Sequence, residues 1–217
     1  MSQDADASLV VYADYVCPFC YLGKRSLDRY RADSDVVVAV DWYPFDLRSH
    51  KRGPDGEIDD GVDDGKDAAY FDRVREQVER LRAEYGASEM LGIDEVPDVD
   101  SLDAQVASHY VQECHRDDWR AFDDALYAAL WEDGRDLGDP DVLAAVGDSV
   151  GVEGAEIRKA IRDEERRETV FAAFDAAQQE GITGVPTFQL DGMTARGAVP
   201  PERLAALVEG TDPDGRE

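Results

Sequence analysis

Two of the chain's three cysteines stand three positions apart, in Cys17-Pro18-Phe19-Cys20, directly after the apolar run Leu9 to Ala13. That run is short and β-branched and reads as a buried strand. Pro18 suits the first position of a helix, where its missing N–H would have no partner anyway. The cysteines therefore fall at a strand-to-helix junction, with a helix expected through about Tyr30. A helix N-terminus stabilises a thiolate through its unpaired N–H groups and dipole. Cysteines at i and i+3 in a first helical turn can close a disulfide with little rearrangement. An exposed first thiol can then attack another disulfide while its neighbour resolves the mixed species.

Two other readings of the pair were weighed. A structural zinc site needs four ligands, usually from paired motifs. Here the further candidates are the adjacent Cys114 and His115, with His109 and His50, and no second C-x-x-C occurs. Three cysteines cannot supply a Cys₄ iron–sulfur cluster, and the c-type haem signature fails because position 21 is Tyr. Inert packing would not require the spacing after a strand. A redox pair is the favoured reading. Each histidine reads as a solvated or packed residue, and Cys114 as a buried packing residue.

Val36 to Trp42 reads as a second strand, so the chain opens strand–helix–strand. Residues 1–8 are polar and read as loose. Arg48 to Lys66 is rich in Gly and acids and reads as a flexible loop. Tyr70, Val74, Val78, Leu81 and Tyr85 fall on one helical face. Further helices are expected over about 101–115, 118–132, 140–150 and 153–180, the last broken near Asp163. Thr187 to Leu190 and Met193 to Arg196 flank Asp191–Gly192, a favoured hairpin turn. Pro200–Pro201 starts a final helix with Leu204, Leu207 and Val208. The division expected is 1–66 and 166–217 as two parts of one α/β domain, with 67–165 as a helical insertion.

These pieces resemble the DsbA-like thioredoxin-fold proteins, and more closely their FrnE-like cytoplasmic branch. The matching residues are Asp14 to Gly23, Pro44-Phe45-Asp46-Leu47, Ser101-Leu102-Asp103-Ala104 and Gly181 to Phe188. Phe19 stands where many relatives carry Trp, and no further cysteine pair follows. The resemblance implies an α/β thioredoxin fold with a large all-helical insertion between the second and third strands. It implies a thiol–disulfide oxidoreductase with Cys17 as nucleophile and Cys20 as resolving thiol. Val185–Pro186 would be a cis-proline segment beside them, with Val185 offering backbone pairing to a substrate and Pro18, Phe19 and Pro186 completing the substrate face. Partners would be thiol- or disulfide-containing proteins or peptides, or a small thiol, with no metal or other cofactor. Tyr15, Phe19, Tyr21, Trp42 and Phe45 were weighed as an apolar rim, with core packing the equal or better reading for Trp42 and Phe45. One alternative is a glutathione-dependent isomerase or transferase of the kappa-like group, which typically carries Ser at position 17. The other is a non-catalytic chaperone-like binding protein.

Charge bears on the setting. The chain has 33 Asp, 17 Glu, 19 Arg and only 4 Lys, for a net −27. Such a surface repels nucleic acid and anionic membranes. No apolar stretch approaches a membrane span, and the N-terminal residues do not read as a signal peptide, so a cytoplasmic location is expected. Excess Asp with scarce Lys resembles proteins of high-salt cells, where counterions screen self-repulsion. The thermal midpoint should accordingly rise markedly from about 0.1 M to multimolar KCl, more than for a near-neutral protein of the same fold. A flat melting profile across that range would remove the halophilic reading.

Overall fold

The computed structural model describes residues 7–53, 56–63 and 65–211. Residues 1–6 and Pro54, read above as parts of loose segments, lie outside them. The elements run β1 (Ala7–Ala13), α1 (Pro18–Asp33), β2 (Val38–Pro44), α2 (Ala68–Tyr85), α3 (Leu102–Cys114), α4 (Arg116–Trp131), α5 (Pro140–Ser149), α6 (Gly154–Ala160), α7 (Glu164–Gln179), β3 (Thr187–Leu190), β4 (Met193–Arg196) and α8 (Pro201–Val208). The sheet order is β2-β1-β3-β4. β1 runs parallel to β2, with Val11 opposite Trp42, and antiparallel to β3, with Val11 opposite Phe188. This is the α/β thioredoxin fold, with helices α2 to α7 standing between its second and third strands.

β1 is central, which explains its apolar run. Leu9, Val11 and Ala13 pack into the main core with α1, α8 and the inserted helices. Tyr12 faces the other side, against Phe45, Ala177 and Ile182, where α7 covers the sheet. Part of the aspartate excess has local work. Asp67, Asp139 and Asp163 cap α2, α5 and α7 by accepting from the first free N–H groups. The break expected near Asp163 is the cap that starts α7. The hairpin turn has Asp191 and Gly192 both at positive φ, 49° and 82°, as a two-residue type I′ turn requires.

Three local expectations need correction. Ser8 is not loose: it belongs to β1, and its hydroxyl donates to Asp41 Oδ2 at 2.6 Å. Tyr70 is 38% exposed, because α2 buries Val78, Leu81 and Tyr85 toward its C-terminal end and its first turn faces solvent. The segment after Arg48 is anchored. Arg52 lies with its side chain 6% exposed, donating to Asp46 at 2.7 Å, to both oxygens of Asp100 at 2.8 Å and to the Gly56 carbonyl at 2.7 Å. A guanidinium has five donors in a fixed fork, so one side chain fastens three stretches of chain. No helix among the described residues is long and apolar enough to cross a membrane.

Candidate active site

Cys17 is the N-cap of α1, in extended conformation, and Pro18 follows at the first helical position. Its carbonyl accepts from Cys20 N at 3.0 Å and Tyr21 N at 3.3 Å, which closes the first turn. Both cysteines carry free thiols. Burial pushes the Cys20 thiol well above the usual range, and the neighbouring Cys17 adds to that. Pro18 and Phe19 are half-buried above the pair.

The distant segment arrives at the same place. Cys17 Sγ donates to the Val185 carbonyl at 3.6 Å, across 168 residues of chain. The Val185–Pro186 peptide bond is cis. The Thr187 hydroxyl donates to the Gly184 carbonyl at 2.7 Å, and Gly197 N donates to the Pro186 carbonyl at 2.8 Å, which fixes the segment at the start of β3. α1 reaches it because position 23 is glycine. A Cβ there would lie 2.9 Å from Pro186 Cγ and 3.2 Å from Phe188 Cζ.

Beneath the cysteine turn lies Asp14, 1% exposed. Its carboxylate accepts from Val16 N at 3.3 Å, Leu47 N at 2.9 Å and the Ser101 hydroxyl at 2.6 Å. Its own carbonyl accepts from Cys17 N at 3.1 Å. Burial raises its pKa from 3.8 to about 6, against the downward pull of the Ser101 and Leu47 hydrogen bonds. Tyr15 is fully buried; its hydroxyl accepts from the Ser108 hydroxyl at 2.7 Å and donates to Asp123 at 3.0 Å, and its carbonyl accepts from Trp131 Nε1 at 2.8 Å.

All six proposed site residues therefore gather in one place. Other expectations change. Cys17 is 3% exposed rather than open, because the Val185 segment packs over it. Tyr15, Tyr21, Trp42 and Phe45 are buried in packing and form no rim; Phe19 alone stays half-buried at the surface. Cys114 is exposed, since it ends α3 on the solvent side, with Arg166 Nη2 at 4.0 Å from its sulfur. His115 meets Glu156 at 3.0 Å, away from the cysteines. Asp14, Gly23, Arg52 and Ser101 had no assigned role. Asp14 left one signal, an acid closing an apolar strand three residues before a cysteine.

A family model, the DSBA-like thioredoxin domain, matches residues 8–209. The chain belongs to that family. It is 28% identical over 189 residues to the uncharacterised protein YwbO of Bacillus subtilis, covering 87% of this chain and 88% of that one. Two solved structures share the fold. A probable DsbA oxidoreductase of Streptomyces coelicolor aligns at 23% identity with TM-score 0.70, over 95% of this chain and 91% of that one. A 2-hydroxychromene-2-carboxylate isomerase aligns at 19% with TM-score 0.68, over 94% and 93%.

Two substitutions test this geometry. Gly23→Ala gains about 1 kcal/mol of helix propensity but forces a methyl against a rigid proline ring, an overpacking cost of roughly 1–3 kcal/mol. A net loss in urea unfolding is expected, and a variant as stable as the wild type would show that the contact is looser than described. Asp14 has a folded-state pKa above its ordinary one. Its contribution to stability is therefore complete below about pH 4 and lost as pH rises through about 6. Relative to Asp14→Asn, the wild type should lose roughly 1–2 kcal/mol between about pH 5 and pH 7.5. Parallel pH profiles for the two proteins would contradict a buried, titrating Asp14.

Proposed function

We propose that the protein is a thiol–disulfide oxidoreductase working through Cys17 and Cys20. The observation that carries this is the pair itself: two free thiols three residues apart at the start of α1, with Cys17 against the Val185–Pro186 segment. The Cys17 thiolate attacks one sulfur of a substrate disulfide, and the other substrate sulfur leaves as a thiolate. The Cys20 thiolate then attacks Cys17 Sγ, closing the Cys17–Cys20 disulfide and releasing the second substrate thiol. Two electrons and two protons pass from the dithiol to the substrate, and the reverse sequence oxidises a substrate dithiol. Net direction follows the potential of the pair against its surroundings.

The remaining assignments follow from position. An extended substrate pairs with the main chain of Val185 and displaces its carbonyl from Cys17, which uncovers the thiol. Pro186 shapes that face, with Pro18 and Phe19 opposite. Substrates are disulfide- or thiol-bearing proteins, peptides or small thiols. An exposed unpaired Cys114 suits a reducing compartment, and we place the protein in the cytoplasm. The glutathione-dependent isomerase reading is disfavoured by the intact pair, and the chaperone-like reading leaves the thiol contacts without a role.

Reduction of insulin disulfides separates these possibilities. Wild type should accelerate it, and Cys17→Ser should fall to the uncatalysed rate. Cys20→Ser should accumulate mixed disulfides that peptide mapping assigns to Cys17. In the wild type, Cys17 should alkylate before Cys20. Catalysis surviving Cys17→Ser, or faster labelling of Cys20, would overturn the assigned roles.

A further inference from the structure

A cavity of about 270 Å³ lies between α1, α4 and one face of the sheet. Its walls are apolar, with Val11, Leu27, Val40 and Phe188 among them, and its inner end is closed by Cys20 and Tyr127. Lys24 bridges the two helices across it, meeting Asp123 at 3.1 Å and also pairing with Asp124. Along α1 the cavity runs from Cys20 to Arg31, roughly 16 Å at about 1.5 Å per residue. Small-molecule sites of this kind start at about 300 Å³, mostly apolar with a few placed polar groups.

The polar groups here are mostly donors; Asp123, an acid on the same wall, is held by Lys24, and Arg116 is paired with Asp41. Arg31 and Arg120 both line the cavity. Arg31 is half-buried and spends one N–H on the Val38 carbonyl at 2.6 Å; among the described residues no carboxylate pairs with it. Among the described residues Arg120 is paired with Asp28 alone, at 3.3 Å. Burial and the charge of Arg120 lower the Arg31 pKa, against the upward pull of Asp28, Asp124 and Asp123. This arginine pair is out of keeping with a chain of net −27. The third donor is Trp42, which is 4% exposed, lines the same cavity, and has an indole Nε1–H without a hydrogen-bond partner among the described residues. A buried donor left unpaired is destabilising, and an acceptor oxygen in the cavity would relieve it.

We propose that this cavity binds a small apolar monocarboxylate bearing one further oxygen, with the carboxylate on Arg31 and Arg120, the hydrocarbon along Leu27 and Val40, and the second oxygen accepting from Trp42. Its test reads binding alone and needs no disulfide exchange.

Calorimetric titration with three probes decides it: 7-oxooctanoate, octanoate without the ketone, and octan-2-one without the carboxylate. Saturable binding of 7-oxooctanoate is expected, with octan-2-one at least tenfold weaker and octanoate severalfold weaker. Arg31→Met with Arg120→Met should erase the preference for the carboxylate, and Trp42→Phe the preference for the ketone. Absence of saturable heat with 7-oxooctanoate, or equal binding of octan-2-one, would overturn the proposal. If a variant loses its circular dichroism signal, the comparison of the three probes on the wild type decides alone.

Discussion

The carboxylate of Asp14 is the tie on which the site depends. Three donors from three parts of the chain converge on it: the cysteine turn through Val16, the exit of β2 through Leu47, and the start of α3 through Ser101. Without it, the half-buried N–H groups of Val16 and Leu47 and the buried Ser101 hydroxyl would each lose an acceptor, at about 1–3 kcal/mol for any left unpaired away from water. Arg52 continues the tie outward. It grips Asp46 beside Leu47 and Asp100 beside Ser101. The inserted helices are thus fastened to the strand-and-helix frame at the point where the thiols emerge.

A second constraint sets the opposite wall. Gly23 lets α1 come within contact of Pro186 and Phe188, so the start of β3 is seated directly against the helix that carries the cysteines. Val185 then meets Cys17 as a consequence of strand position rather than of any special attraction. The floor is shared: Cys20 faces both the first thiol and the cavity between α1 and α4. Chemistry at the surface and packing beneath it are therefore built from the same two turns of helix.

What the sequence made legible follows the range of the interactions. The strand-to-helix junction, the break near Asp163 and the Asp191–Gly192 turn are decided within a few residues, and each was readable. The meeting of Val185 with Cys17 came only from family resemblance, since no local pattern announces a contact across 168 residues. The Asp14 bonds span 33 residues to Leu47 and 87 to Ser101, and the Arg52 bonds to Asp100 span 48, so none shows in spacing. Burial misled at Tyr15 and Cys114 for one reason: composition does not say which way a side chain faces. Tyr15 closes into the interior because its hydroxyl is bonded between Ser108 and Asp123, while Cys114 sits on the last turn of a helix whose final side chains face water.

The exposure of Cys114 has a practical meaning. Among the three cysteines it alone is open to solvent, while Cys17 and Cys20 are 3% and 2% exposed. A bulky thiol reagent applied to the folded protein therefore meets the bystander first. Stoichiometry of one rapid equivalent per chain would report Cys114, not the working pair. The same side chain is where two copies would cross-link on storage in air, giving a covalent dimer whose sulfur bridge has no part in exchange.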